Sequence, residues 1–188
     1  GGGLLAGIAS DVKTIRPDIR IIGVEPVDSN CMGASIAIGK RVELPYVGIF
    51  ADGVAVKQAG ATTFDIARHY VDDFMTVTTD QICSAIKDVY ESTRSIVEPS
   101  GALSVAAIKQ AGLNAGSHAV AICSGANITF ERLQQIAERT MFGSDKEALI
   151  AVKMPEKPGA LSTFCREVVR DRSITEFSYR LHSRESAH

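Results

Sequence analysis

The chain has 188 residues, 45% of them hydrophobic, and a formal net charge of -2. That is long enough for one sizeable core and part of a second domain, and too apolar for a disordered chain. The near-neutral charge excludes an electrostatic footprint for nucleic acid or an anionic membrane. No apolar run is long enough to span a bilayer, and no signal-peptide pattern occurs. The four cysteines, Cys31, Cys83, Cys123 and Cys165, form no C-x-x-C pair and sit in apolar company. Buried free thiols and a cytoplasmic setting are therefore expected rather than zinc or redox chemistry. The chain opens at Gly1-Gly2-Gly3 without a methionine, which reads as a truncation.

In chain order, apolar residues at helical spacing predict a helix over Leu4 to Ile15, ended by Pro17. A short buried strand, Arg20 to Pro26, follows. A second helix is predicted over Ser29 to Ile38, with Ser29 as N-cap and Gly39 just past the end. Val42 to Gly60 is apolar and punctuated by glycine, as expected of strand and loop segments lining a site. Thr62 to Tyr70 is helical and Asp73 to Val77 is a strand. Thr78 and Gln81 then form a capping box for a helix carrying Ile82, Ile86, Val89 and Tyr90. Further predicted elements are a small-residue helix over Ser100 to Ala111, a strand over His118 to Cys123, and a helix over Phe130 to Thr140.

Composition shifts at a polar linker, 144–147. Beyond it a strand (Ala148 to Met154), a turn (Pro155 to Gly159), a helix (Ala160 to Arg170) and a strand (Ile174 to Arg180) are expected. Alternating helices and short, wholly apolar strands imply a parallel sheet covered by helices on both faces. Ligands then belong at the C-terminal ends of the strands.

The chemistry concentrates in a few places. Gly1-Gly2-Gly3-Leu4-Leu5-Ala6-Gly7 runs directly into a helix. Glycines let a backbone approach a phosphate closely, and the helix start offers free N–H groups and partial positive charge. A plain glycine turn is the bland alternative. A nucleotide P-loop is excluded by Leu4-Leu5, which stand where it needs lysine and a hydroxyl. A dinucleotide fingerprint stays open, because Gly1-x-Gly3-x-x-Ala6 has its spacing and Glu25 ends the next strand, where a ribose-binding acid would lie. Ser124, in Ala121-Ile122-Cys123-Ser124-Gly125-Ala126-Asn127, puts a hydroxyl at the end of an apolar strand; helix capping is its ordinary alternative.

Taken with Asp52-Gly53-Val54-Ala55-Val56 and Glu98-Pro99-Ser100-Gly101-Ala102, these motifs resemble, in order and over essentially the whole chain, the fold-type II pyridoxal-phosphate enzymes. Within them the chain is most similar to the biosynthetic threonine dehydratases. The resemblance implies an α/β, tryptophan synthase β-like catalytic domain over 1–143 and a partial α+β, ACT-like regulatory domain over 148–188. It implies pyridoxal 5'-phosphate as cofactor, its phosphate held by Gly1, Gly2, Gly3 and Leu4. Ser124 would bond the pyridine nitrogen, Gly53 would lie beside the ring, and Glu98 would support the active site. A neutral hydroxyl on the ring nitrogen leaves the ring a weaker electron sink than a carboxylate would, which suits β-elimination.

Glu25 matches a carboxylate that holds a cation in the related serine racemases, but Cys31 stands where that site wants a second acid, so no metal is expected. The family's Schiff-base lysine lies in an S-x-K-x-R-G segment upstream of the glycine loop, and no such segment occurs here. Lys13, Lys40, Lys57, Lys87 and Lys109 read as solvated charges, so no catalytic residue is assigned in this chain and the chain alone is expected to be inactive. Pro158 and Gly159, in Pro155-Glu156-Lys157-Pro158-Gly159-Ala160-Leu161, resemble an effector-site turn of ACT-like domains.

The implied reaction of the complete protein is L-threonine to 2-oxobutanoate and ammonia, the first step toward isoleucine. Isoleucine is the implied feedback effector, and a homo-oligomer the implied assembly. Three alternatives remain open from sequence: a serine/threonine dehydratase or serine racemase of the same fold, a dinucleotide-binding domain, and a regulatory amino-acid-binding fragment.

Overall fold

A computed structural model describes residues 1–143, 150–155, 157–174 and 177–179. The chain divides into two compact units, Gly1–Ala148 and Leu149–His188.

The first unit is built on two parallel strands, β1 (Ile22–Pro26) and β2 (Asp73–Val77), in register from Ile22 opposite Asp73 to Pro26 opposite Val77. Parallel pairing demands a crossover. Here it comprises α2 (Cys31–Ile38), a long loop and α3 (Ala61–Tyr70), with α1 (Gly3–Ile15) packed against α3. Strand alternation then sends side chains to opposite faces. Phe74 joins a cluster of Cys31, Met32, Ala59, Phe64 and Ala67, whereas Val24 and Met75 join a second cluster. That second cluster comes from α4 (Thr79–Thr93), α5 (Leu103–Gln110) and α6 (Phe130–Gly143), and includes Ile82, Cys83, Ile86, Leu103, Ala106 and Ile136. Both faces of the strand pair are thus covered. Burying a side chain such as Ile82 contributes about 1.5–3 kcal/mol.

Local signals are realised where both partners are local. Thr78 Oγ1 accepts from Gln81 N at 3.3 Å, and Gln81 Oε1 accepts from Thr78 N at 2.8 Å, closing the capping box at the head of α4. Lys13 departs from its expected solvated state. Its side chain is only 14% exposed and its ammonium lies 2.8 Å from Asp72, whose carboxylate also accepts from Ile21 N at 2.6 Å. Those bonds, the one from Lys13 foremost, hold the Asp72 carboxyl below the usual carboxylate range and tie the end of α1 to the starts of both strands.

Other expectations require correction. Ser29 does not cap α2, which begins at Cys31 behind Asn30; its buried hydroxyl donates instead to Val54 O at 2.9 Å. The helix expected from Ser100 starts at Leu103, because Pro99 to Gly101 turn first and Ala102 N reaches back to Glu98 O at 3.1 Å. His118 to Cys123 is irregular, with Val120 86% exposed. A strand exists only through a neighbour's backbone, and β1 and β2 pair with each other. Side-chain and loop donors hold this segment's end instead: Ser104 Oγ donates to Ile122 O at 2.8 Å and Glu98 N to Gly125 O at 3.0 Å. Cys123 is consequently exposed and Cys165 half-buried, and only Cys31 and Cys83 are the buried thiols expected; burial pushes the Cys83 thiol up to about 11. Between Val42 and Gly60 the described structure is one antiparallel bridge, Glu43 with Gln58, and a 3-10 turn at Asp52–Val54.

In the second unit, α7 (Ala160–Phe164) continues as a π-helical turn, Cys165–Val169, where one continuous α-helix was expected. The described residues of the two expected flanking strands, 150–154, 174 and 177–179, are irregular. The linker 144–147 and the strand ends at 148, 149 and 180 lie outside the described residues.

Candidate active site

The glycine loop meets α1 at Gly2, which takes a left-handed φ of 91° as the helix N-cap. Few side chains tolerate that conformation. A Cβ here would also stand 2.3 Å from Met32 Cε and 3.2 Å from Thr63 Oγ1. The first helical bond runs from Ala6 N to Gly2 O at 2.9 Å, so the N–H groups of Gly3, Leu4 and Leu5 precede it at the positive end of the helix. Around Gly3 a Cβ would meet nothing within 4 Å. Free N–H groups at a helix start form a donor set suited to a phosphate.

Met32 is itself placed by Glu25. The Glu25 carboxylate leaves β1 and accepts from Met32 N at 2.9 Å and Gly33 N at 2.8 Å, in the first turn of α2. Burial pushes its pKa up, against the two N–H bonds that favour the ionised form. Both oxygens are committed to the helix start. The carboxylate is thus the anion of α2 and does not serve as the ribose-binding acid that a dinucleotide site would need.

A second group of loops meets around Glu98 to Gly101. Ser100 Oγ lies where a Cβ on Gly53 would stand, 2.6 Å away, and it is a buried hydroxyl without a partner among the described residues. Glu98 Oε1 lies 2.0 Å from a Cβ position on Gly125, and the Gly101 Cβ position is 2.7 Å from Gly125 O. Gly53, Glu98, Ser100, Gly101 and Gly125 are thereby interleaved, and Ser124 sits on the same loop. The Ser124 residue is exposed. It does not cap α6, which starts at Phe130 and whose Arg132 N donates to Thr129 Oγ1 at 3.3 Å. A hydroxyl left free for an external acceptor, an unpartnered buried hydroxyl and a phosphate-suited N–H cradle all fit pyridoxal phosphate.

Sequence reasoning singled out Gly1, Gly2, Gly3, Leu4, Gly53, Glu98 and Ser124, named Ser100 only within its motif, and passed over Met32 and Thr63. Thr63 carried one legible signal, a hydroxyl in the first helical turn behind a glycine N-cap. In the second unit, Gly159 has φ 88° at the head of α7, and Thr163 N donates to its carbonyl at 2.9 Å. This turn borders a cavity of about 590 Å³ lined by residues including Met154, Pro155, Pro158, Leu161, Phe177 and Tyr179. The Phe177 and Tyr179 rings are stacked, 6.5 Å between centroids.

Comparison with known proteins agrees with this geometry. Residues 1–125 match the family model "Pyridoxal-phosphate dependent enzyme", and residues 138–188 match "C-terminal regulatory domain of Threonine dehydratase". The chain is 49% identical to a biosynthetic L-threonine dehydratase of Burkholderia multivorans, over 100% of this chain and 38% of that protein. It therefore spans well under half the length of that relative. Among solved structures, the processed form of threonine deaminase isoform 2 from Solanum lycopersicum superposes with a TM-score of 0.70 at 42% identity, covering 73% of this chain and 41% of that one. Maize serine racemase superposes at 0.64 with 33% identity, covering 77% and 46%. On the family match across two thirds of its length and the loop geometry that fits the cofactor, the chain belongs to the pyridoxal-phosphate-dependent enzymes of fold-type II.

Proposed function

We propose that the protein to which this chain belongs is an L-threonine ammonia-lyase that converts L-threonine to 2-oxobutanoate and ammonia under feedback control by isoleucine. The observation carrying this reading is that one chain joins the pyridoxal-phosphate family match to the regulatory-domain match. A serine racemase or serine dehydratase is the second reading, favoured by the likeness to the maize serine racemase structure.

When bound, pyridoxal phosphate supplies an electron-withdrawing ring that spreads the negative charge left when a Cα proton departs. The chain's own residues do the rest. The backbone N–H groups of the Gly1-Gly2-Gly3-Leu4 loop would hold the phosphate, Gly53 would leave room for the ring, and Ser124 would hold the ring nitrogen by a neutral hydrogen bond. Glu98, packed against Gly125, keeps the Ser124 loop in place.

Ser124 provides the test. In the full-length protein Ser124→Ala is expected to lower turnover of L-threonine about fivefold, one neutral hydrogen bond being worth ~1 kcal/mol. Ser124→Asp is expected to do more harm, by holding the ring protonated and diverting the carbanion to transamination. Steady-state rates with L-threonine and L-serine measure both effects, and wild-type rates in the aspartate variant would remove Ser124 from the cofactor. A clear preference for L-serine would favour the second reading.

The regulatory half of the proposal rests on the regulatory-domain match, and the apolar and aromatic walls of the hollow beside Pro158 and Gly159 suit a branched aliphatic side chain. Ending the full-length protein at Asp145 is expected to leave catalysis and abolish inhibition by isoleucine. Dose–response curves check this, and persistent inhibition would place the sensor in the catalytic part. A homo-oligomer and a cytoplasmic location complete the proposal; the buried thiols Cys31 and Cys83 are at home in a reducing compartment. Among the described residues no helix is long and apolar enough to cross a membrane.

A further inference from the structure

We propose that Thr63 is a positioning residue for the cofactor phosphate, acting through the carbonyl of Gly1; this rests on the cofactor reading above. Thr63 lies in the first turn of α3, and its hydroxyl is within hydrogen-bond distance of two carbonyls, Gly1 O and, at 3.1 Å, Gly60 O. The hydroxyl carries one proton. Gly60 O already accepts from Phe64 N at 2.9 Å in the helical ladder, and the contact to Gly1 is the shorter. The proton therefore goes to Gly1 O, a residue 62 positions away in sequence. Gly60 N supplies a second, longer bond to the same carbonyl at 3.2 Å.

The consequence follows from the peptide bond. Gly1 C=O and Gly2 N–H belong to one trans planar unit and point in opposite directions. Pinning the carbonyl against α3 turns the Gly2 N–H away from α3 and keeps that peptide from rotating. Gly2, at φ 91° with no side chain, would otherwise be among the freest points of the loop. Thr63 thus reduces the loop's freedom before any ligand arrives, which is how preorganisation raises affinity. The residue touches no reacting atom.

The test uses the full-length protein, stripped of cofactor and titrated with pyridoxal phosphate. Thr63→Val removes the hydroxyl and keeps the shape; Thr63→Ser keeps the hydroxyl. Thr63→Val is expected to raise the dissociation constant about five- to tenfold, Gly60 N limiting the loss, while Thr63→Ser stays within about twofold of wild type. The ³¹P chemical shift of the bound cofactor phosphate is expected to move in Thr63→Val and to return in Thr63→Ser. Should the valine variant fail to fold, Thr63→Ala carries the same comparison. A lowered melting temperature with unchanged affinity and ³¹P shift would overturn the proposal, leaving Thr63 a purely structural residue. So would a serine variant as impaired as the valine one. If wild-type protein bound no pyridoxal phosphate, the cofactor reading would fail first and take this inference with it.

Discussion

Gly101→Ala in the full-length protein is expected to destabilise the fold and disable the site together. Gly101 is buried, and a Cβ there would stand 2.7 Å from Gly125 O and 3.0 Å from Gly125 N. Both obstacles are backbone atoms, which cannot swing aside as a side-chain end can. The same Gly125 carbonyl accepts the bond from Glu98 N that ties the two loops. Overpacking of this kind costs about 1–3 kcal/mol. Relief must come from moving the 124–126 loop, and Ser124 moves with it. The unfolding midpoint is expected to fall, with turnover dropping by more than the ~fivefold expected for Ser124→Ala. Gly7→Ala is the control, because a Cβ at Gly7 inside α1 meets nothing within 4 Å. Denaturant unfolding and steady-state rates measure both variants; wild-type stability in Gly101→Ala would mean that the two loops are not packed as described.

The 188-residue chain assayed by itself, with pyridoxal phosphate and L-threonine added, is expected to form no 2-oxobutanoate above background. No S-x-K-x-R-G segment occurs in it, and several of its lysines are engaged elsewhere. Lys13 and Lys109 are ion-paired with Asp72 and Asp88, Lys87 with Glu91, and Lys57 donates to Pro45 O at 3.3 Å. A lysine held against a carboxylate is already engaged, whereas a nucleophile must be free to reach its substrate. Lys40 is exposed at the end of α2, outside both loop clusters described above. Loss of general-base catalysis alone removes roughly 100- to 10,000-fold of rate. Cofactor binding through backbone N–H groups does not need lysine, so residual affinity is compatible with this result. Adventitious lysine labelling can imitate a bound cofactor spectrally, and for that reason turnover is the measurement. Sustained product at a dehydratase-like rate would show that one of these lysines is catalytic.

What could be read from the sequence was whatever a short stretch decides by itself. The Thr78–Gln81 box joins residues three apart, and the strand Asp73–Val77 follows from five residues of composition; both are present as read. The glycine loop, Gly53, Glu98 and Ser124 were visible as motifs, because residue type already expresses a need for room, an oxygen or a hydroxyl. Tertiary structure decided every choice whose partner is distant. The Ser29 hydroxyl had a local cap to make and took Val54 O instead, 25 residues on, since folding brought a buried acceptor within 2.9 Å. His118 to Cys123 has a strand's composition, yet a strand is a property of two backbones and composition names only one. Glu25 presented itself as a ligand-binding acid, and only the fold showed its oxygens spent on the start of α2. Thr63 and Gly1 had nothing in sequence to link them. The chain's residue types thus determined which chemistry it could carry, and three-dimensional proximity alone decided which donors and acceptors were already satisfied and which were left for a ligand.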